Sequence, residues 1–150
     1  MSDYADIADL SWDNIQEPKP LPVGTFLLRA RNAVFQPSKD ADKSPVVMFV
    51  YVPKEAMEDV KADELEALGP DYDIGENKIF VRFYIEDGAS WDQVRKHLAK
   101  HGIEAAGKIE DTLKKVKNTE VLAYLEQKTF TRKDGTVGVA NNATEFAAVD

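Results

Sequence analysis

The chain has 150 residues and is 43% hydrophobic, enough for one domain with its own core. It contains no cysteine, which excludes disulfide bonds and thiolate metal sites. The first residues lack the basic and apolar regions of a signal peptide, and no apolar run is long enough to span a bilayer. We therefore expect a protein of the cytoplasm with no membrane partner.

The net charge is −8, but the acidic residues are concentrated in two segments. Residues 1–17 hold five Asp and Glu and no Lys or Arg, and residues 55–76 hold nine against a single lysine. Without these segments, 18 Lys and Arg stand against 13 Asp and Glu, a net charge of +5. Because the local field decides attraction to a polyanion, overall acidity does not exclude a nucleic-acid partner.

Composition divides the chain into an arm and one domain. Residues 1–22 are predicted to form an extended acidic arm, because their alternating prolines disfavour a helix. Residues 23–150 are predicted to form a single domain. Within it, residues 53–76 are rich in helix-forming acidic residues and predict a helical insert.

The first two strands are predicted over residues 24–36 and 45–52. The first is longer than most strands, so we expect a bulge near Asn32. The second is apolar at nearly every position, which indicates burial of both faces or a ligand over one of them. A polar connection, residues 38–44, joins the two strands.

The third strand leads directly into a helix. Aliphatic and polar or aromatic residues alternate over residues 78–85, the period of a strand with two different faces. Ser90 and Gln93 have the spacing of a capping box, and Gly102 provides a left-handed stop. These signals predict a helix between Ser90 and Gly102.

The last third of the chain predicts a short helix within residues 109–118 and two strands, residues 120–132 and 136–146, joined at an Asp-Gly turn. The order is strand, strand, acidic helical insert, strand, helix, strand, strand. It predicts a mainly β protein with minor α content: the OB-fold, a five-stranded, partly open barrel with a helix between strands three and four. Other α+β arrangements stay open, because sequence does not show strand pairing.

The motifs of catalytic and metal sites are incomplete. His97 and His101 have the i, i+4 spacing of a zinc-binding pair, but no third ligand is indicated, and we interpret them as solvated residues near a helix C-terminus. Residues 102–108 match part of a phosphate-binding loop, yet Ile109 stands where Ser or Thr is required. We therefore expect no catalytic residues, no metal and no cofactor.

Aromatic and cationic side chains alternate on the strand faces opposite the aliphatic ones. Single-stranded nucleic acid requires this combination, since rings stack on exposed bases and cations contact the backbone. In an OB-fold the ligand crosses strands two and three and contacts the loops joining strands one to two and four to five. The predicted nucleic-acid-binding residues are Arg29, Arg31, Phe35, Lys39, Lys43, Phe49, Tyr51, Phe80, Arg82, Tyr84, Lys128, Phe130, Arg132 and Lys133.

Three segments resemble a family of phage-encoded OB-fold proteins that bind single-stranded DNA. They are residues 21–33, where a proline and a glycine precede a strand; residues 91–102, WDQVRKHLAKHG; and residues 119–146, with the Asp-Gly turn and an Asn-bearing last strand. The resemblance implies a non-catalytic protein of phage DNA replication or recombination, acting in the cytoplasm of the infected cell. Its implied partners are single-stranded DNA and phage or host replication and recombination proteins. Association with a second copy of the chain stays open.

Other classes of function stay open. The aromatic face can instead form a homodimer or virion-assembly interface, which predicts a stable oligomer and no salt-sensitive DNA binding. The acidic segments can instead mimic DNA and inhibit a basic host protein, which predicts competition with DNA. A hydrolase with paired carboxylates is the remaining alternative, but no focused pair is visible in the sequence.

Overall fold

The structure is a computed structural model that describes residues 19–37 and 44–149. Lys39, Lys43 and the arm before Lys19 lie outside the described residues. Within them the chain forms the strands β1 (Gly24–Gln36), β2 (Val46–Ala56), β3 (Ile79–Tyr84), β4 (Glu120–Thr131) and β5 (Val137–Ala148). It also forms the helices α1 (Ala62–Glu66), α2 (Gly88–Lys100) and α3 (Ile109–Lys114), and a 3₁₀ helix at Ile74–Glu76.

The five strands form one antiparallel sheet in the order β3-β2-β1-β4-β5. β1 is the central strand and pairs with β2 on one side and with β4 on the other. The edge strands β3 and β5 approach each other to within 8 Å between Cα atoms. The sheet is therefore curled and open, and the prediction of a mainly β protein is confirmed.

A β-bulge divides β1, as predicted. Ala30 lies opposite Tyr51 and Asn32 lies opposite Val50, so Arg31 is an extra residue without an opposite partner. An inserted residue reverses the in-out alternation of everything after it. Phe35 therefore leaves the face of Arg31 and packs against Trp91 of α2, with 5.7 Å between the ring centroids. The prediction that Phe35 shares the outer face with Arg31 is wrong.

The core fills the inner face of the curled sheet, and its largest fully buried side chains include Phe26, Phe49 and Tyr51. The prediction of Phe49 and Tyr51 as exposed binding residues is therefore wrong. Both faces of β2 are apolar, so the alternation alone could not select the inner one. The pairing of β2 with β3 identifies the inner face, because Phe49 lies opposite Val81, on the aliphatic face of β3.

Helix α2 begins earlier than predicted. Its N-cap is Asp87, whose side chain accepts a hydrogen bond from the backbone N–H of Ser90. Ser90 accepts a hydrogen bond from the N–H of Glu86, the residue before the N-cap, so the helix is capped at Asp87 and not at Ser90 as predicted. Gly102, with φ of +77°, ends the helix as predicted.

The acidic insert is less helical than its composition predicted. β2 continues to Ala56, because Glu55 and Ala56 pair with Leu27 and Phe26 of β1. Only the five residues of α1 then form an α-helix. Within the part of the chain that the structure describes, no helix has the length and apolarity needed to cross a bilayer.

Candidate nucleic-acid interface

A cleft of about 510 Å³ lies between the outer face of β3 and the hairpin of β4 and β5. We call it the hairpin cleft; its walls include Phe80 and Arg82 of β3, Lys128 of β4, and Val139 and Asn142 of β5. The cleft exists because β1 pairs with β4 only as far as Leu125, so the two strands continue beyond β1 as a projecting hairpin.

The outer face of β3 presents two aromatic rings on either side of a cation. Phe80 and Tyr84 are 47% and 60% exposed, and the guanidinium of Arg82 lies 5.5 Å from the centroid of the Phe80 ring. The alternating inner residues of β3 are in the core or packed against it, which fixes these three side chains outward. The predicted orientation of Phe80, Arg82 and Tyr84 is confirmed.

An apolar surface on β2 adjoins these three residues. Val46 lies opposite Tyr84, Met48 opposite Arg82, and Val50 opposite Phe80. The three β2 side chains are half-buried, so they present apolar area beside the rings. Val46, Met48 and Val50 are not among the predicted site residues, although the apolar character of both β2 faces was the available signal.

The hairpin carries the remaining predicted residues. Phe130 is 44% exposed, and the guanidinium of Arg132 lies 5.1 Å from its ring centroid. A Cβ atom on Gly138, opposite Phe130 in the ladder, would lie 2.5 Å from the ring, so the glycine provides the space that the ring occupies. Lys133 is exposed in the turn that Gly135 closes with φ of +89°. The predicted Asp-Gly turn is confirmed.

The β1 cations lie on the outer surface but away from the hairpin cleft. Arg29 lies opposite Val52 of β2, and its guanidinium is 3.4 Å from a carboxylate oxygen of Glu120. Arg31 is exposed at the bulge. The structure thus brings Phe80, Arg82 and Lys128 together, and leaves Arg29 and Arg31 at the periphery.

The cleft is cationic. Lys78, Arg82 and Lys128 line it, against the single carboxylate of Glu76. Within residues 19–37 and 44–149, none of these three cations forms an ion pair. Among the described residues, cations without ion pairs beside exposed rings create a positive local field, which attracts a phosphate backbone.

The two histidines of the helix are buried, and the prediction that they are solvated is wrong. His97 and His101 are 5% and 8% exposed, and their Nε2 atoms lie 2.6 and 2.8 Å from the hydroxyl of Tyr51. The i, i+4 spacing places both rings on the face of α2 that covers the sheet. The pair therefore joins α2 to β2 through one core tyrosine.

A consistent set of donors and acceptors connects this cluster. The Thr119 hydroxyl donates to the Val116 carbonyl at 2.6 Å, so it accepts from Nδ1 of His101 at 2.7 Å. Nε2 of His101 is then the acceptor for Tyr51, whose oxygen accepts from Nε2 of His97. His101 is therefore neutral in this arrangement, because its Nε2 accepts and carries no hydrogen.

Burial favours the same neutral state. It lowers the pKa of His97 to about 3, with the nearby charges of His101 and Lys100 as further causes, and it lowers the pKa of His101 to about 4. Burial also raises the pKa of Tyr51 above its ordinary value. Among the described residues, no group of three or more His, Asp or Glu side chains is arranged to hold a metal ion.

No protein-family model matches this sequence, and no curated protein shows significant similarity to it.

Proposed function

We propose that the protein is a non-catalytic, single-stranded DNA-binding protein with an OB-fold. The strand order β3-β2-β1-β4-β5 supports the fold, since bringing β3 beside β5 closes such a sheet into a five-stranded barrel. The position of α2 and α3, between β3 and β4 in the chain, supports it as well.

The observation that carries the proposal is the outward row of Phe80, Arg82 and Tyr84, of which Phe80 and Arg82 line the hairpin cleft together with Lys128. Exposed aromatic rings on a strand offer bases a stacking surface that does not depend on sequence, and the adjacent cations contact phosphates. A duplex keeps its bases stacked inside and cannot use the rings. The arrangement therefore favours a single strand.

The biological setting follows from the resemblance to phage proteins. We propose a role in phage DNA replication or recombination in the host cytoplasm, with phage or host replication and recombination proteins as further partners. Further contacts with the bound DNA, on either side of the cleft, come from Arg29, Arg31, Phe130, Arg132 and Lys133.

The test is a titration of a fluorescently labelled oligo-dT, followed by anisotropy at about 50 and about 200 mM salt. We expect tight binding that weakens with salt, because bound phosphates release counterions. A duplex of equal length is the control and should bind much more weakly. Absence of single-strand binding at the lower salt concentration would overturn the proposal.

Tyr84→Ala should weaken single-strand binding roughly tenfold, since loss of one base–aromatic stack costs about 1–3 kcal/mol. Phe35→Ala is the matched control, because the bulge turns that ring away from the proposed face toward Trp91. Both affinities are measured by the same titration, with circular dichroism to verify folding. Equal affinity of folded Tyr84→Ala and the unmodified protein would remove Tyr84 from the site.

One observation favours a protein-interaction module as the second candidate. A groove of about 550 Å³ beside α2 and α3 is lined by Phe35, Trp91, Ile109 and Leu113, and two of these, Phe35 and Ile109, are among the exposed large hydrophobic residues. An apolar groove of this kind suits a protein partner. A stable oligomer by mass measurement, together with no DNA binding, would favour this candidate.

A further inference from the structure

Two adjacent asparagines of β5, Asn141 and Asn142, both line the hairpin cleft but differ in their hydrogen bonds. Asn141 anchors the chain that enters the domain: its side-chain oxygen accepts from the Leu21 N–H at 2.8 Å, and its amide donates to the Leu21 carbonyl at 2.9 Å. Asn142 is half-buried and lines the hairpin cleft. Its carboxamide forms no hydrogen bond to any of the described residues. A half-buried carboxamide of this kind is available to a ligand.

The surroundings of Asn142 have the chemistry of a nucleotide site. The exposed ring of Phe80 offers a stacking surface, and Val139 adds apolar area on the hairpin side. Arg82 and Lys128 provide positive charge in the same cleft, whose 510 Å³ exceed the volume of one nucleobase. A carboxamide carries a donor and an acceptor side by side, which matches the hydrogen-bonding edges of the bases.

We propose that the hairpin cleft holds one unstacked base of the bound strand and that Asn142 hydrogen-bonds the edge of that base. This inference rests on the proposed function and extends it. Along the outer face of β3, rings and cations bind any base equally. At the cleft, one base is held by hydrogen bonds to Asn142 as well as by stacking.

The test uses oligo-dT strands that each lack the base at one successive position. If one base occupies the cleft, its removal should weaken binding of the full-length protein by more than about tenfold, because that base is both stacked and hydrogen-bonded, whereas removal of any other base should cost at most about tenfold, the loss of one stack. We call the loss of affinity caused by removing the cleft base the positional cost. Asn142→Leu keeps the side-chain size but removes the hydrogen bonds, and it should reduce the positional cost severalfold. Gln93→Leu, at an exposed position of α2 outside the cleft, is the matched control and should leave the cost unchanged.

Phe80→Leu is a second variant, at an exposed position, in case Asn142→Leu does not fold; it removes the stacking surface and should reduce the same positional cost. A cost that is equal at every position, with tight and salt-sensitive binding retained, would overturn the base pocket and leave the proposed function intact. A positional cost unchanged in both folded variants would also overturn it. Failure of the unmodified protein to bind any single strand would instead overturn the proposed function, and the pocket with it.

Discussion

Simultaneous reversal of two charges, Arg82→Glu and Lys128→Glu, should weaken single-strand binding at least about 100-fold at 50 mM salt. The two cations face the same cleft from β3 and β4 and form no ion pair within the described chain. The variant loses two phosphate contacts, adds repulsion of the backbone, and removes the guanidinium from the Phe80 ring. The logarithm of the affinity should also depend less steeply on the logarithm of salt, with a slope smaller by about 1.4.

A variant with the same net charge separates the cleft from general electrostatics. Lys100→Glu and Lys117→Glu change two exposed lysines outside the cleft. At the same salt concentration we expect this protein to lose much less affinity than the cleft variant, because neither lysine lines the cleft. Equal losses in the two double variants would show that net charge, and not the cleft, governs binding.

Acidification from pH 6.5 to pH 5 should reduce the free energy of unfolding by up to about 2 kcal/mol for each buried histidine, since one pH unit corresponds to about 1.4 kcal/mol per proton. His97 and His101 are neutral in the folded state, with pKa values of about 3 and about 4, whereas the unfolded chain takes up protons near pH 6.5. The unfolded state therefore binds more protons in this window. The stability is fully present above about pH 6.5 and is lost as the pH falls toward the folded-state values.

Urea unfolding at pH 7, 6 and 5 measures this effect. The chain contains only two histidines, so a variant with both replaced by glutamine has none left to titrate in the window. Glutamine places an amide near the position of Nε2 and can still hydrogen-bond Tyr51. We expect the variant to be less stable at pH 7 but to lose much less stability on acidification. An unchanged loss in this variant would contradict the role of the histidine pair.

Local signals in the sequence were sufficient for much of the fold. The alternation in β3, the glycine stop after α2 and the Asp-Gly turn each involve neighbouring residues, and each is found as predicted. The outward positions of Phe80, Arg82 and Tyr84 also followed from alternation, because their inner neighbours are all apolar. This part of the candidate site could therefore be identified before the structure.

The remaining features depend on contacts between distant residues. The side chains of Phe49 and Tyr51 could not be assigned to a face, because β2 is apolar on both sides and only its pairing with β3 decides. The direction of Phe35 depended on the exact position of an inserted residue, Arg31. Burial of the histidines had one local sign, their spacing of three residues from Val94 and Leu98 on the same helix face, but the Tyr51 hydroxyl that binds them is 46 and 50 residues away in the chain.

The central position of β1 has a consequence for the order of folding. Its pairing with β2, and that of β2 with β3, joins consecutive strands, whereas Arg29 of β1 and its β4 partner Glu120 are 91 residues apart. Because closure of a longer loop costs more chain entropy, we expect β1, β2 and β3 to associate first and the β4–β5 hairpin to join them later. The β3 wall of the cleft belongs to the first three strands, and the opposite wall, with Lys128, belongs to the β4–β5 hairpin. The cleft is thus assembled at the last step, and a chain that has paired only its first three strands would have the aromatic row of β3 without the opposing lysine.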